Sequence, residues 1–185
     1  FLQEMSVPQG IGADLIATLD DYSRDDVDAY AMESQHRATR ARDSGWFDQS
    51  VCPVEDETGM PILERDDFIK PDTNMEVLGS LSASFEVIGA MGFDAMALSR
   101  YPEVAKIEHV HTPGNSSGIV DGASAVLIGS EGAGKDLGLE PRGRVVGTAV
   151  LATDPVIMLT GPAPAARKCL ARAGLDQEDI DLWEI

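Results

Sequence analysis

The sequence predicts an α/β protein whose first part is loop-rich and whose second part is denser. Three observations predict it. The runs 123–129, 144–152 and 180–185 are apolar and rich in Val, Leu and Ile. Helix-forming segments near 131–138 and 163–173 lie between them. A bend of small residues, Gly114-Asn115-Ser116-Ser117-Gly118, feeds the first of these runs. Near-continuous apolar strands alternating with helices imply a sheet covered on both faces.

Residues 8–20 carry Pro8, two glycines and a short apolar segment ending in Leu19. Ser23-Arg24-Asp25-Asp26 has the form of a capping box with Asp in place of Glu. Val27, Tyr30, Ala31, Ser34, Ala38 and Ala41 then follow at helical spacing until Gly45, which predicts a helix over 24–43. Its other face, with Asp28, Glu33, Arg37, Arg40 and Arg42, reads as solvated. Residues 48–76 are acidic and weakly periodic, and they read as extended loops with one short strand near Val51–Val54. Residues 77–100 mix Leu78, Leu81, Phe85, Val87, Ile88, Met91, Met96 and Leu98 with three glycines. Short surface helices fit that mixture; the apolar residues either pack the segment down or face a ligand or partner. The 163–173 helix has Pro162 and Pro164 near its start, Ala166, Cys169, Leu170 and Ala173 on one face, and Gly174 as its stop.

The chain has 185 residues, 43% of them hydrophobic, enough for one domain or one plus an attachment. A net charge of −18 argues against nucleic acid and against an anionic membrane surface. An anionic small ligand stays compatible, because a few Lys, Arg or backbone N–H groups suffice to bind it. Cys52 and Cys169 stand in unlike contexts and form no disulfide framework, so a reducing cytoplasmic compartment is expected. The chain opens Phe1-Leu2-Gln3-Glu4 and stops at Ile185 inside a strand-like run, and it reads as an interior piece of a larger enzyme. It carries no basic-then-apolar signal segment and no apolar run of membrane-spanning length. Three histidines without CxxC or HExxH spacing predict no metal site.

Local chemistry alone gives no complete catalytic set. The 114–118 bend reads equally as a loop that approaches a ligand and as an ordinary tight turn. The segment from Thr153-Asp154-Pro155 to Thr160-Gly161-Pro162-Ala163-Pro164 reads first as a strand-to-helix connection. His109 and His111 alternate on an extended run and face one side, a pair suited to proton transfer or metal binding but without a third ligand nearby in sequence. His36 sits on the solvated helix. Cys52 lies in an acidic loop and Cys169 near a helix C-terminus; neither is the positive setting that favours a nucleophilic thiolate.

Four ordered stretches carry a family resemblance. Ser23-Arg24-Asp25-Asp26-Val27-Asp28-Ala29-Tyr30-Ala31 with Ser34-Gln35 is similar to an SR-(D/E)-x-x-D-x-(F/Y)-A-x-x-SQ helix. Thr112 to Gly122 is similar to T-A-G-N-(A/S)-S-G-x-x-D-G. Asp154-Pro155 with Thr160 to Ala165 is similar to a DP…GTGP-x-PA segment, and Asp179 to Ile185 to the strand before an NEAFA motif. Along its length the chain resembles the thiolase family (acetyl-CoA acetyltransferases and 3-ketoacyl-CoA thiolases).

That resemblance implies a thiolase-like fold in which residues 1–120 are the loop-domain region that covers coenzyme A and 121–185 open the C-terminal half. It implies an acyltransferase of fatty acid β-oxidation that cleaves or forms 3-ketoacyl-CoA through a cysteine acyl-enzyme. The family's acyl-accepting Cys, its proton-handling His and second Cys, and the Asn of NEAFA have no match here, so no catalytic residue is assigned and this polypeptide alone is expected to be inactive. CoA and acyl-CoA enter as substrate, with no covalently bound cofactor. The implied CoA contacts are Ser117 and Pro113 in the bend, Leu78, Leu81 and Phe85 along the pantetheine arm, and Lys70 near the nucleotide phosphates. Lys70 stands where many members have Arg and acts as a point charge rather than a planar fork. Pro113 replaces the usual Ala, Val77 a serine, and Pro8-Gln9 a His-Met pair; the segment Glu86 to Lys106 is longer than in short-chain members. These departures point to a larger or branched acyl group. A homodimer or homotetramer, with a β-oxidation partner subunit, is the implied assembly. A non-catalytic acyl-CoA or lipid carrier and a structural subunit of a β-oxidation complex are the alternatives.

Overall fold

The computed structural model describes residues 6–185. The chain forms two compact units, one ending at Gly118 and one spanning Ile119–Ile185.

The first unit begins with helix α1, Gln9–Leu19. Ile11 and Leu15 lie one turn apart and are fully buried, together with Val7 and Ala17. Gly10 is required by its neighbour: a methyl group there would sit 2.1 Å from ring atoms of Phe85. Helix α2, Arg24–Asp43, starts as its sequence predicts. The Ser23 hydroxyl accepts from the Asp26 N–H at 3.2 Å, and the Asp26 carboxylate accepts from the Ser23 N–H at 2.8 Å. The Ser23 hydroxyl also donates to Asp26 Oδ2 at 2.6 Å, and this bond, followed by that from the Ser23 N–H, holds the Asp26 carboxyl below its ordinary range. Ser44 caps the other end, and Gly45 follows in the left-handed region at φ +73°.

Two positions on α2 depart from the expected faces. Tyr30, placed on the buried stripe by its spacing, is 82% exposed. Asp28, placed on the solvated face, is fully buried. Helical periodicity records where apolar residues recur and carries no mark of a carboxylate recruited inward by polar partners.

A short hairpin follows. Strand β1, Val54–Glu55, pairs antiparallel with β2, Pro61–Leu63, with Val54 opposite Leu63. The strand expected near Val51–Val54 begins only at Val54, directly after Pro53, which has no N–H to give to a ladder. The turn is fixed by Asp56, whose carboxylate accepts from the Thr58 hydroxyl at 2.7 Å and the Met60 N–H at 3.0 Å. Helix α3, Met75–Gly79, is capped by Asn74, and it packs on α2. Helix α4, Glu86–Ile88, runs through one wide turn, Gly89–Phe93, into α5, Asp94–Arg100, which packs on α1. Gly92 takes φ +114° in that turn, which a side chain would strain. The chain then returns through residues 106–112, with Ile107, Val110 and Thr112 buried.

The second unit contains helix α6, Glu131–Asp136, and helix α7, Pro162–Ala173. Pro162 stands at the start of α7, and Gly174 ends it at φ +69°. The runs 123–129, 144–152 and 180–185 are not strands: they form no ladder among the described residues. Val126, Leu127, Ile128, Val145, Val150, Leu182 and Ile185 are exposed. A strand exists only with a partner strand, and periodicity does not supply one. Near α7 the backbone acceptors go to side chains instead. The Thr148 carbonyl accepts from Arg172 at 3.1 Å and the Val150 carbonyl from Lys168 at 2.8 Å. Between them the α7 residue Cys169 closes on Gly147, where a methyl group would lie 3.1 Å from its sulfur.

Gly10→Val forces the Phe85 ring off α1 and should lower stability by about 1–3 kcal/mol, the usual cost of overpacking. Urea denaturation of the full-length protein checks this; an unchanged midpoint would mean that Phe85 does not rest on α1.

Candidate functional site

Helix α2 presents a row of polar side chains that secure the segment from Lys70 to Leu81 and the bend after residue 112. Near its start, Arg24 Nε donates to Asp28 Oδ2 at 2.7 Å. The same guanidinium donates from Nη2 to the carbonyls of Leu78 and Leu81, the latter at 3.0 Å. Asp28 Oδ1 accepts from Asn115 Nδ2 at 2.7 Å. Two turns further along, Gln35 Oε1 accepts the Lys70 N–H at 2.7 Å, and His36 Nε2 donates to the Thr73 carbonyl at 3.0 Å. A buried carboxylate without partners would cost several kcal/mol. Asp28 is paid back by a guanidinium on one oxygen and an amide on the other.

Asn115 carries the clamp into the bend. Its Nδ2 also donates to the Val110 carbonyl at 3.0 Å, and its Oδ1 accepts the Thr112 N–H at 2.7 Å. Thr112 Oγ1 accepts the Gly114 N–H at 3.2 Å. The bend is therefore stapled to itself and to α2. Gly114 admits a close approach: a methyl group there would lie 2.6 Å from Leu78 Cδ2 and 2.6 Å from Leu81 Cδ1. At the other end, a methyl group on Gly118 would lie 2.3 Å from the Phe68 ring. Lys70 Nζ stands 5.3 Å from the centroid of that ring, within cation–π range.

A second polar cluster lies on the other side of the strand-like run that enters the bend. Asp14 of α1 is fully buried. Its Oδ1 accepts the N–H groups of Val110 and His111 at 3.1 Å each, and His111 Nδ1 at 2.7 Å. Its Oδ2 accepts His109 Nδ1 at 2.7 Å. The other ring nitrogen of His109, Nε2, lies 3.0 Å from Asp94 Oδ2. Ionised carboxylates only accept, so the two contacts are satisfied together only in the imidazolium form, in which both ring nitrogens donate. Burial alone would push the Asp14 carboxyl up; the histidine and backbone donors outweigh it and hold it below the ordinary 3.8. Burial alone would push the His109 ring down; Asp14 and Asp94 outweigh it and raise it above 6.5.

The residues expected from sequence fall around the bend with one exception. Pro113 and Ser117 are exposed on it, Leu78 is buried and Leu81 half-buried against Gly114, and Lys70 is exposed above Phe68. Phe85 instead lays its ring on Gly10 at the start of α1. His109 and His111 do face one side, and what they face is Asp14. Sequence reasoning missed Arg24, Asp28 and Gln35 as anchors and Asp14 and Asp94 as histidine partners. The Arg24–Asp28 spacing of four was a legible sign of a pair; nothing in sequence joins Asp14 to residues about 95 positions away. His36 is exposed, as is Cys52, and Cys169 is half-buried. Among the described residues no group of three or more His, Cys, Asp or Glu is arranged to hold a metal, and no helix is long and apolar enough to cross a membrane.

The chain belongs to the thiolase family. The family model "Thiolase, N-terminal domain" matches residues 2–132, and "Thiolase, C-terminal domain" matches residues 139–185. Within the family, the chain is 38% identical over 98% of its length to the mitochondrial 3-ketoacyl-CoA thiolase of Bos taurus, and 36% identical over 95% to the 3-ketoacyl-CoA thiolase of Aliivibrio fischeri. It spans 41% of the length of each of these relatives. The crystal structure of human mitochondrial 3-ketoacyl-CoA thiolase in complex with CoA superposes with a TM-score of 0.79 at 34% identity, covering 97% of this chain and 40% of that one. The Bacillus anthracis acetyl-CoA acetyltransferase gives a TM-score of 0.78 at 29% identity, covering 96% of this chain and 42% of that one. The mixed α/β class read from the sequence is thus the thiolase fold.

Asp28→Ala removes the carboxylate that Arg24 and Asn115 share, leaving the Arg24 charge without its counter-ion, and should cost about 3–5 kcal/mol in urea denaturation; a loss below about 1 kcal/mol would contradict the clamp. The pH dependence has two edges. The contribution of His109 is complete below pH 6.5 and is lost as pH rises through the higher folded-state value. The contribution of Asp14 is present above 3.8 and is lost as pH falls through the lower folded-state value. Thermal unfolding across pH 3–9 (about six units) should show both edges in the wild type and lose the alkaline one in His109→Gln.

Proposed function

We propose that the full-length protein is a 3-ketoacyl-CoA thiolase and that this chain supplies the cradle for the thioester's pantetheine arm. The observation that carries the reading is the fixed bend. Asn115 and Asp28 immobilise it, Leu78 and Leu81 wall it on one side, and the Phe68–Lys70 pair stands at its other end. An apolar wall beside exposed hydroxyl and N–H donors suits an arm that alternates methylenes with amides. Lys70, an exposed cation at the margin, suits the phosphates at the arm's far end. The names of the relatives and the CoA complex among the similar structures support the same assignment.

In this reading, residues 1–120 form the loop-domain region over CoA and 121–185 open the C-terminal half. The reaction proceeds when a cysteine thiolate, carried on the protein outside these residues, takes the acyl group from a 3-ketoacyl-CoA. The carbon–carbon bond breaks, and the acetyl-CoA enolate that leaves is stabilised by an oxyanion hole before protonation. The residues described here bind and orient the thioester, which is where most of the entropic cost of bringing the reactants together is met. The exposed apolar runs after residue 119 support burial by the rest of the protein and by a second subunit. The length of the segment Glu86 to Lys106 is the ground for extending the reading to an acyl group larger than acetoacetyl.

Ser117→Trp in the full-length protein should raise KM for CoA thioesters about tenfold or more, equivalent to about 1.4 kcal/mol of binding, with kcat less affected. Steady-state thiolysis assays check this; an unchanged KM would remove the bend from the CoA path.

A further inference from the structure

Three elements meet at one imidazole. His109 lies on the run that enters the bend, Asp14 comes from α1, and Asp94 opens α5. The ring is almost fully enclosed, with 8% of its side chain exposed, against 0% for Asp14 and 26% for Asp94. Asp94 is the weaker partner. Its Oδ1 is buried with no hydrogen-bond partner among the described residues, so its carboxylate is held chiefly through Oδ2 and His109. The charged and titratable groups that face the ring are Asp14 from α1, Asp94 from α5 and, on its own run, His111, which shares Asp14. Glu108, the adjacent residue, is turned to Lys106 at 3.1 Å.

We propose that His109 is a protonation-dependent latch that fastens the α4–α5 segment to α1 and holds the following residues in register for the bend. The inference rests on the thiolase reading only for its consequence at the CoA site; the latch itself stands on the geometry. A neutral imidazole carries one N–H and one lone pair. It satisfies one carboxylate and turns a lone pair toward the other. Asp14 is enclosed and has backbone donors, so it keeps the remaining proton; Asp94, partly exposed and otherwise undersupplied, is the partner released. The adjacent Val110 connects this event to the bend. Its N–H is bound by Asp14 and its carbonyl by Asn115, so the same peptide unit is gripped from both clusters. His111 adds a second connection, its carbonyl accepting the Ser84 N–H at 2.8 Å just before α4.

The raised His109 value sets the release on the alkaline side of 6.5. Between 6.5 and the higher folded-state value each pH unit weakens the latch by up to about tenfold, and above that value the loss levels off. The test is hydrogen exchange by mass spectrometry on the full-length protein from pH 6 to 9, about three units, corrected for the intrinsic rate, in the wild type and in Asp94→Asn. In the wild type, protection of peptides covering 86–100 should fall by up to about tenfold per pH unit through a midpoint above 6.5 and level off beyond the folded-state value of His109, while peptides of α2 change little. In Asp94→Asn, which keeps a side chain of the same shape but no charge, the midpoint should move to lower pH. Corrected protection that is flat with pH in the wild type overturns the latch, and so does a midpoint that Asp94→Asn leaves in place. The wild-type measurement decides the matter even if the variant does not fold. CoA binding, followed by calorimetry at pH 6.5 and above the midpoint, separates the two claims. Weaker binding above the midpoint supports the coupling to the bend, whereas an absence of binding at any pH would sink the thiolase reading and leave the exchange result to judge the latch.

Discussion

The carboxylate of Asp28 is the constraint on which the rest of the first unit depends. A buried charge must be answered by specific partners. The partners of Asp28 are an arginine that reaches the Leu78–Leu81 backbone and an asparagine inside the 113–118 bend. Two segments distant in sequence are thereby set at a fixed separation, and the bend meets Leu78 and Leu81 at Gly114, where no side chain fits. The spacing of that gap is decided by hydrogen-bond lengths, not by the looser fit of apolar side chains.

This gives the α2 motif a physical meaning residue by residue. Ser23 and Asp26 start the helix, Arg24 and Asp28 make the clamp, and Gln35 fixes the backbone at Lys70. On the far side of the bend's approach, Asp14 organises His109 and His111 in the same manner. Val110 lies between the two carboxylates, one binding its N–H directly and the other its carbonyl through Asn115. The bend thus inherits its position from two buried acids carried on two helices. An acidic protein with −18 net charge has spent two of its carboxylates inside, where they organise structure, and left the others largely to solvent.

How far the sequence carried depended on the range of the interaction. Helix α2 and its capping box, the Pro162 start and Gly174 stop of α7, and the small bend at 114–118 are local features, and all were legible. The strand expected near Val51–Val54 begins only at Val54 because Pro53 bars a ladder, and its partner β2 was not foreseen. The three apolar runs were read as strands from composition alone, yet pairing depends on a neighbour, and these runs have none among the described residues. Asp28 and Tyr30 exchanged their expected faces because the helical period counts apolar residues and ignores polar partners. The six candidate binding residues came from family likeness, and five of them gather at the bend. The polar groups that fix the bend were invisible, since Asn115 is separated from Asp28 by 87 positions.

The most direct measurement is a crystal structure of the full-length protein with a non-hydrolysable acyl-CoA bound. The account predicts the pantetheine arm against Ser117, running along the Leu78–Leu81 side of the bend, with Asp28 still bonded to Asn115 and Lys70 turned toward the nucleotide phosphates. An arm that passes elsewhere, or a bend that rearranges and breaks the Asp28–Asn115 bond on binding, would contradict it.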